Sequence, residues 1–231
     1  MPDLVSIDDL LSHPSIWRGR DSDSMRTAAI STGFESLDRY LPGGGWPLTG
    51  VTEIFVHRYG IGELGLLMPA LAALCAETVA VRQWIVWIAP PFLPYAPALL
   101  HHGIDLNRIL LVHPSGSRVD ALWATEQAIK SQSSAAVLAW LEEADMAALR
   151  RLQLGAEEHE CLTVLFRPAA ALSGSSPATL RLELSRASAE SERDRICIAI
   201  HKCRGRRPGT IFIDRAGPHG AGRGFDAGGG E

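Results

Sequence analysis

"VTEIFVHRYGIGELGLL", residues 51–67, decides how this chain folds. A run rich in β-branched and aromatic residues leads into a glycine turn, and the turn opens an apolar stretch of helical character. Strand, glycine turn and helix in that order make the frame of a phosphate-binding loop. A working loop reads GxxxxGK[ST]: backbone N–H groups cradle the phosphates, the lysine reaches the outer ones and the hydroxyl holds Mg²⁺. Here Gly62 takes the place of the last glycine, Glu63 follows where lysine is needed, and Leu64 stands for the Ser or Thr. The loop is also one residue longer than the consensus. A carboxylate facing phosphates at several ångströms replaces an attraction of a few kcal/mol by a comparable repulsion, at an effective dielectric of about 20. Glu63 suits its place differently: near a helix N-terminus its carboxylate satisfies the dipole that a phosphate would otherwise use. Gly60, Gly62, Glu63 and Leu64 therefore read better as a structural strand-to-helix turn than as a nucleotide site.

Outward from this stretch, "QWIVWIA" (83–89), "RILLVHP" (108–114), "AAVLAWL" (135–141) and "CLTVLFRP" (161–168) are apolar runs. Such runs are expected of strands buried on both faces of a parallel sheet. Between them, "GELGLLMPALAALCAETVA" (62–80) reads as one helix with Pro69 in its first turns. "VDALWATEQAIKSQ" (119–132) and "DMAALRRLQLGAEEH" (145–159), the latter capped by Asp145, complete an alternation of strand and helix. After Pro168 the rhythm changes: "ATLRLELS" (178–185), "RICIAIHKC" (195–203) and "TIFID" (210–214) are strands with no helix between them. The expected fold is α/β, a doubly wound, mostly parallel sheet with helices on both faces and antiparallel strands at the C-terminal end. Residues 1–27 read as an N-terminal helix ("SIDDLLSHPSIWRG", 6–19, capped by Ser6) and a polar linker, 28–214 as the core domain, and 215–231 as a disordered glycine-rich tail.

The 231 residues suffice for one such domain, and 46% hydrophobic against 21% charged residues is ordinary globular usage. A net charge of −4 argues against coating nucleic acid by bulk electrostatics. Cys75, Cys161, Cys197 and Cys203 form no CxxC pair, and with no leader evident at the N-terminus a reducing cytoplasm is the expectation. The stretch from Gln83 to Ile104 lacks charge, but Pro90, Pro91, Pro94 and Pro97 deny it a continuous membrane helix.

A nucleotide site also needs a carboxylate at the end of a buried strand to hold Mg²⁺. "AAVLAWL" ends instead on Trp140 and Leu141, with Glu142 and Glu143 in the loop beyond, and "PPFLPY" stands where a catalytic carboxylate would follow "QWIVWIA". With three elements missing together, nucleotide hydrolysis is not supported, and no catalytic residue and no cofactor are expected. Most of Trp46, Trp84, Trp87, Trp123 and Trp140 read as core, with Trp46 partly exposed beside "LPGGG". Phe92, Leu93 and Tyr95 are poorly suited to a solvated loop; they either pack on their own domain or meet a partner. Lys202, Arg204, Arg206 and Arg207 form the densest basic run, either a solvated hairpin end or a contact for DNA phosphates or an acidic partner. Cys197, His201 and Cys203 alternate along one strand, but with no fourth ligand a coincidental core face is the better reading than a metal site.

"ISTGFESLDRYLPGGGWPLTGVTEIF" (30–55) resembles the opening of the RecA-type ATPase core. The phrases "HPSIWRG" (13–19), "GIGELGLLMPALA" (60–72), "WIAPPFLPYAPAL" (87–99), "DALWATEQAIKS" (120–131), "LRRLQLGAE" (149–157) and "LFRPAA" (165–170) resemble the ImuA family, degenerate RecA relatives linked to translesion synthesis. That resemblance implies a RecA-like core, a degenerate phosphate loop at Gly60, Gly62, Glu63 and Leu64 kept as structure, and a non-enzymatic role in the bacterial SOS response. It implies action with ImuB, an inactive Y-family polymerase relative, and through it with an error-prone replicative-type polymerase. RecA is a further partner it suggests, with weak DNA contact and a cytoplasmic location, at the nucleoid when DNA is damaged. The alternative is a cell-division inhibitor of the SulA type, which shares the fold and binds FtsZ.

Overall fold

The computed structural model describes residues 28–76, 83–114, 118–186, 195–203 and 208–214. The N-terminal helix, the glycine-rich tail and Arg204, Arg206 and Arg207 lie outside the described residues.

An eight-stranded sheet forms the centre. Its strands are β3 (Val51–Val56), β4 (Trp84–Ile88), β5 (Ile109–Val112), β6 (Ser134–Trp140), β7 (Leu162–Pro168), β8 (Leu180–Arg186), β9 (Arg195–Cys203) and β10 (Gly209–Asp214), in the order β10-β9-β8-β3-β7-β6-β4-β5. All pairings from β8 to β5 are parallel, and β9 and β10 add antiparallel pairings at one end. The strand expected at 178–185 thus joins the parallel block through β3 before the chain turns back.

Helices cover both faces of the parallel block. Helix α2 (Met68–Ala76) buries Met68, Ala70, Leu71 and Leu74 on one face, against Ile54, Trp87, Leu138 and Phe166. Helices α4 (Arg118–Lys130) and α5 (Met146–Glu158) bury Ala121, Ile129, Leu149 and Leu152 on the other, against Val86, Val137 and Leu165. Asp145 caps α5 as expected, its Oδ1 accepting from the Ala148 N–H at 2.7 Å.

Several expectations are corrected. The helix expected over 62–80 is broken: Glu63–Leu66 is a 3₁₀ turn, and α2 starts only at Met68. Pro69 accounts for this, because it donates no N–H and suits only the first turn of a helix. Strand β5 is an edge strand, not one buried on both faces, so Leu110 and Leu111 are partly exposed. Trp46 is fully buried. The glycine turn after Leu41 folds short β2 (Trp46–Pro47) against β1 (Ala29–Ile30), so closely that a Cβ on Gly45 would meet the Ile30 carbonyl oxygen at 2.1 Å. Trp87 and Trp140 are core, but Trp84 and Trp123 reach solvent. Two short helices were not foreseen: α1 (Glu35–Asp38) and α3 (Ala96–His101), where Pro97 sits at a helix start that tolerates it.

Candidate functional site: a loop that holds its own carboxylate

The turn between β3 and the Glu63–Leu66 helical turn decides what the site can bind. Gly60 and Gly62 lie at φ 84° and 111°, a left-handed backbone that a side chain resists. This conformation aims successive N–H groups into one concavity, the nest that cradles an anion. The anion is already present. The Glu63 carboxylate folds back and accepts from the N–H groups of Gly60 (2.8 and 3.1 Å to its two oxygens), Ile61 (2.9 Å) and Gly62 (3.1 Å). Glu63 is buried, and Leu64 packs against the core. The side chain in the lysine position thus sits where a phosphate would sit.

The end of β6 is apolar. Trp140, the last residue of β6, stacks on Phe166 with ring centroids 4.7 Å apart and lies 5.6 Å from Trp87. That cluster offers no oxygen ligand to a hard cation such as Mg²⁺. Glu142 and Glu143 are exposed and line an open cleft of 780 Å³ with Val56, His57, Arg58, Tyr59 and Phe92. The cleft lies at the carboxyl ends of β3, β6 and β7. Burial, then the charges of Glu142 and Glu63, push the Tyr59 phenol above its ordinary value.

The structure leaves Phe92, Leu93 and Tyr95 protruding after β4 rather than packed on the domain. Lys202, one residue before the end of β9, is exposed, with Nζ donating to the Ser176 carbonyl at 3.0 Å. Cys197, His201 and Cys203 do not share a face. An irregularity in the β8–β9 register sets Leu182 opposite Ile200 but Arg181 opposite Lys202, which turns Cys203 into the core. Among the described residues, no group of three His, Cys, Asp or Glu could hold a metal ion.

Sequence reasoning missed two charged constellations on the face of β3, β7 and β8. Glu53, fully buried in β3, accepts from Arg167 Nη1 at 2.7 Å and Arg181 Nε at 3.0 Å, both guanidinium groups lying near the Phe55 ring. The one signal was a lone glutamate inside the strand "TEIFV". Beyond it, Glu183 bridges His57 Nε2 (3.0 Å) and His201 Nε2 (2.9 Å), which must both donate to the acceptor-only carboxylate.

Burial acts to raise the Glu183 carboxyl, but the bonds from His201 and His57 outweigh it and hold the group below its usual value. A carboxyl lowered on folding stabilises the fold above its unfolded pKa and loses that contribution as pH falls through the folded value. Glu183→Gln should therefore cost about 0.5–1.5 kcal/mol at neutral pH and far less below the carboxylate range. Thermal melts at both pH values check this; an equal loss at both would contradict it.

The fold and loop define an α/β protein with a strand–turn–helix anion nest filled by its own side chain. No protein-family model matches the chain. It is 29% identical over 223 aligned residues to Protein ImuA of Caulobacter vibrioides, in two strains, covering 84% of this chain and 87% of the relative. It is 27% identical over 118 residues to the cell division inhibitor SulA of Edwardsiella piscicida, covering 49% of this chain and 68% of the relative. The chain is ImuA-like, with a weaker likeness to SulA. No helix among the described residues is long and apolar enough to cross a membrane.

Proposed function

We propose that this chain is a non-enzymatic, RecA-like accessory protein of SOS-induced, error-prone translesion DNA synthesis. It acts as an adaptor with ImuB and, through ImuB, with an error-prone replicative-type polymerase, in the bacterial cytoplasm and at the nucleoid when DNA is damaged. The ImuA likeness over most of the chain supports the process. The single observation that carries the non-enzymatic part is the Glu63 carboxylate on the N–H groups of Gly60, Ile61 and Gly62, because a phosphate would have to displace a charge-assisted, covalently tethered ligand. Phe92, Leu93 and Tyr95 serve this reading as partner contacts. The run Lys202, Arg204, Arg206 and Arg207 serves it as a contact for DNA phosphates or an acidic surface, RecA among the candidates.

The likeness to SulA favours a second reading, a division inhibitor that binds FtsZ. Purified chain titrated separately with ImuB and FtsZ separates the two. The adaptor reading expects a stable complex with ImuB, none with FtsZ, and lower damage-induced mutation frequency when the gene is deleted. A complex with FtsZ alone would transfer the assignment to the second reading.

A further inference from the structure

Among the described residues, five large apolar side chains are more than three-fifths exposed: Phe92 (70%), Leu93 (76%), Tyr95 (72%), Val119 (72%) and Trp123 (64%). Three lie on the loop after β4 and two on the first turns of α4, which follows β5. Because β4 and β5 are parallel neighbours, loop and helix start share the carboxyl edge of the sheet. The loop is not a slack segment. Pro90, Pro91 and Pro94 fix their own φ angles, and Ala89 is the one described non-glycine residue at positive φ, 52°. A backbone held in that region signals a conformation imposed by its surroundings and kept for a use. A rigid loop that presents three large apolar groups has already lost the freedom that binding would otherwise remove.

Two clefts flank this edge. Phe92, Tyr59, His57 and Arg58 line the cleft of 780 Å³; Val119 and Leu122 line a second of 500 Å³. Glu142 and Glu143 line both clefts, so the exposed carboxylates stand between two apolar seats.

We infer that this edge is a docking surface for a basic amphipathic segment of a partner protein, its apolar side chains seated in the clefts beside Phe92 and Val119 and its Lys or Arg groups on Glu142 and Glu143. Charge complementarity selects that occupant: adjacent carboxylates repel nucleic-acid phosphates and anionic lipid headgroups and attract cationic side chains. After burial, the charge of Glu142 adds to what holds the Tyr59 phenol above its ordinary value. The inference rests on the preceding reading only in taking contact, not catalysis, as the role of the chain.

Fluorescence anisotropy with two labelled amphipathic helical peptides, one of Leu and Lys and one of Leu and Glu, tests it without any natural partner. The full chain should bind the Leu/Lys peptide at least about tenfold more tightly than the Leu/Glu peptide. The triple variant Phe92→Ser, Leu93→Ser, Tyr95→Ser should weaken that binding by about tenfold or more. The pair Glu142→Lys, Glu143→Lys should reverse the peptide preference, while Glu158→Lys, Glu160→Lys at the opposite edge should leave it unchanged. Circular dichroism melts confirm that each variant is folded. Equal affinity for both peptides, unchanged binding by the edge variants, self-association through these residues, or tighter binding of a single-stranded oligonucleotide or anionic vesicles would each overturn the inference. A failed peptide titration removes this surface and leaves the adaptor reading to its own test with ImuB.

Discussion

Replacing Glu63 with alanine is expected to lower stability by about 2–3 kcal/mol, because three N–H groups lose a charged acceptor at once. In a domain of this size that corresponds to a fall of roughly 5–10 °C in melting temperature. The same substitution should convert the loop into an open anion site. Left-handed glycines still aim the N–H groups of Gly60, Ile61 and Gly62 at one point, and a nest of this kind binds sulfate or phosphate. Added sulfate should therefore raise the melting temperature of Glu63→Ala more than that of the unmodified protein, by linkage to the folded state. Melting scans with and without sulfate check both parts. A variant as stable as the parent would contradict the structural role of the carboxylate. One that is unstable but indifferent to sulfate would show that the loop collapses without it.

The larger loss is expected at Glu53. Arg167 and Arg181 are brought together by this one buried carboxylate, and among the described residues Arg167 Nε has no hydrogen-bond partner even with it present. Glu53→Ala leaves two guanidinium groups facing each other with no counter-charge, which should cost about 3–5 kcal/mol. The remaining acceptors, the carbonyls of Ala144 for Arg167 and Leu172 for Arg181, bind the cations without neutralising them. Replacing the whole set, as Glu53→Leu, Arg167→Met, Arg181→Leu, should be close to neutral, because desolvation of all three charges is then removed together. Chemical denaturation of the single and triple variants decides the matter. A single variant within about 1 kcal/mol of the parent would mean that water reaches the cations and screens them.

The sheet was legible because a strand buried on both faces is mostly apolar: 85–88 and 135–140 are so throughout, and 162–166 is but for Thr163. The same rule failed at β5, since an apolar run does not reveal that its last neighbour is missing. Helix α3 was hidden among prolines that mark a loop more strongly than Leu99 marks a buried helix face. At the loop, the identity of Glu63 was enough to argue against phosphate, because the sign of a charge is a sequence property. That one carboxylate reaches three N–H groups was not, since it depends on backbone angles at Gly60 and Gly62. The partners of Glu53 were hidden for a different reason: its arginines lie 114 and 128 residues away in the chain, joined only by the order of β7, β3 and β8.

The Glu63 carboxylate fills the anion nest that a nucleotide phosphate would need. Isothermal titration of the 231-residue chain with Mg-ATP puts this to the test. No heat of binding is expected at micromolar nucleotide, in the parent and in Glu63→Lys alike, since Leu64 and Trp140 still supply no Mg²⁺ ligand. A clear micromolar isotherm with the unmodified chain would contradict it.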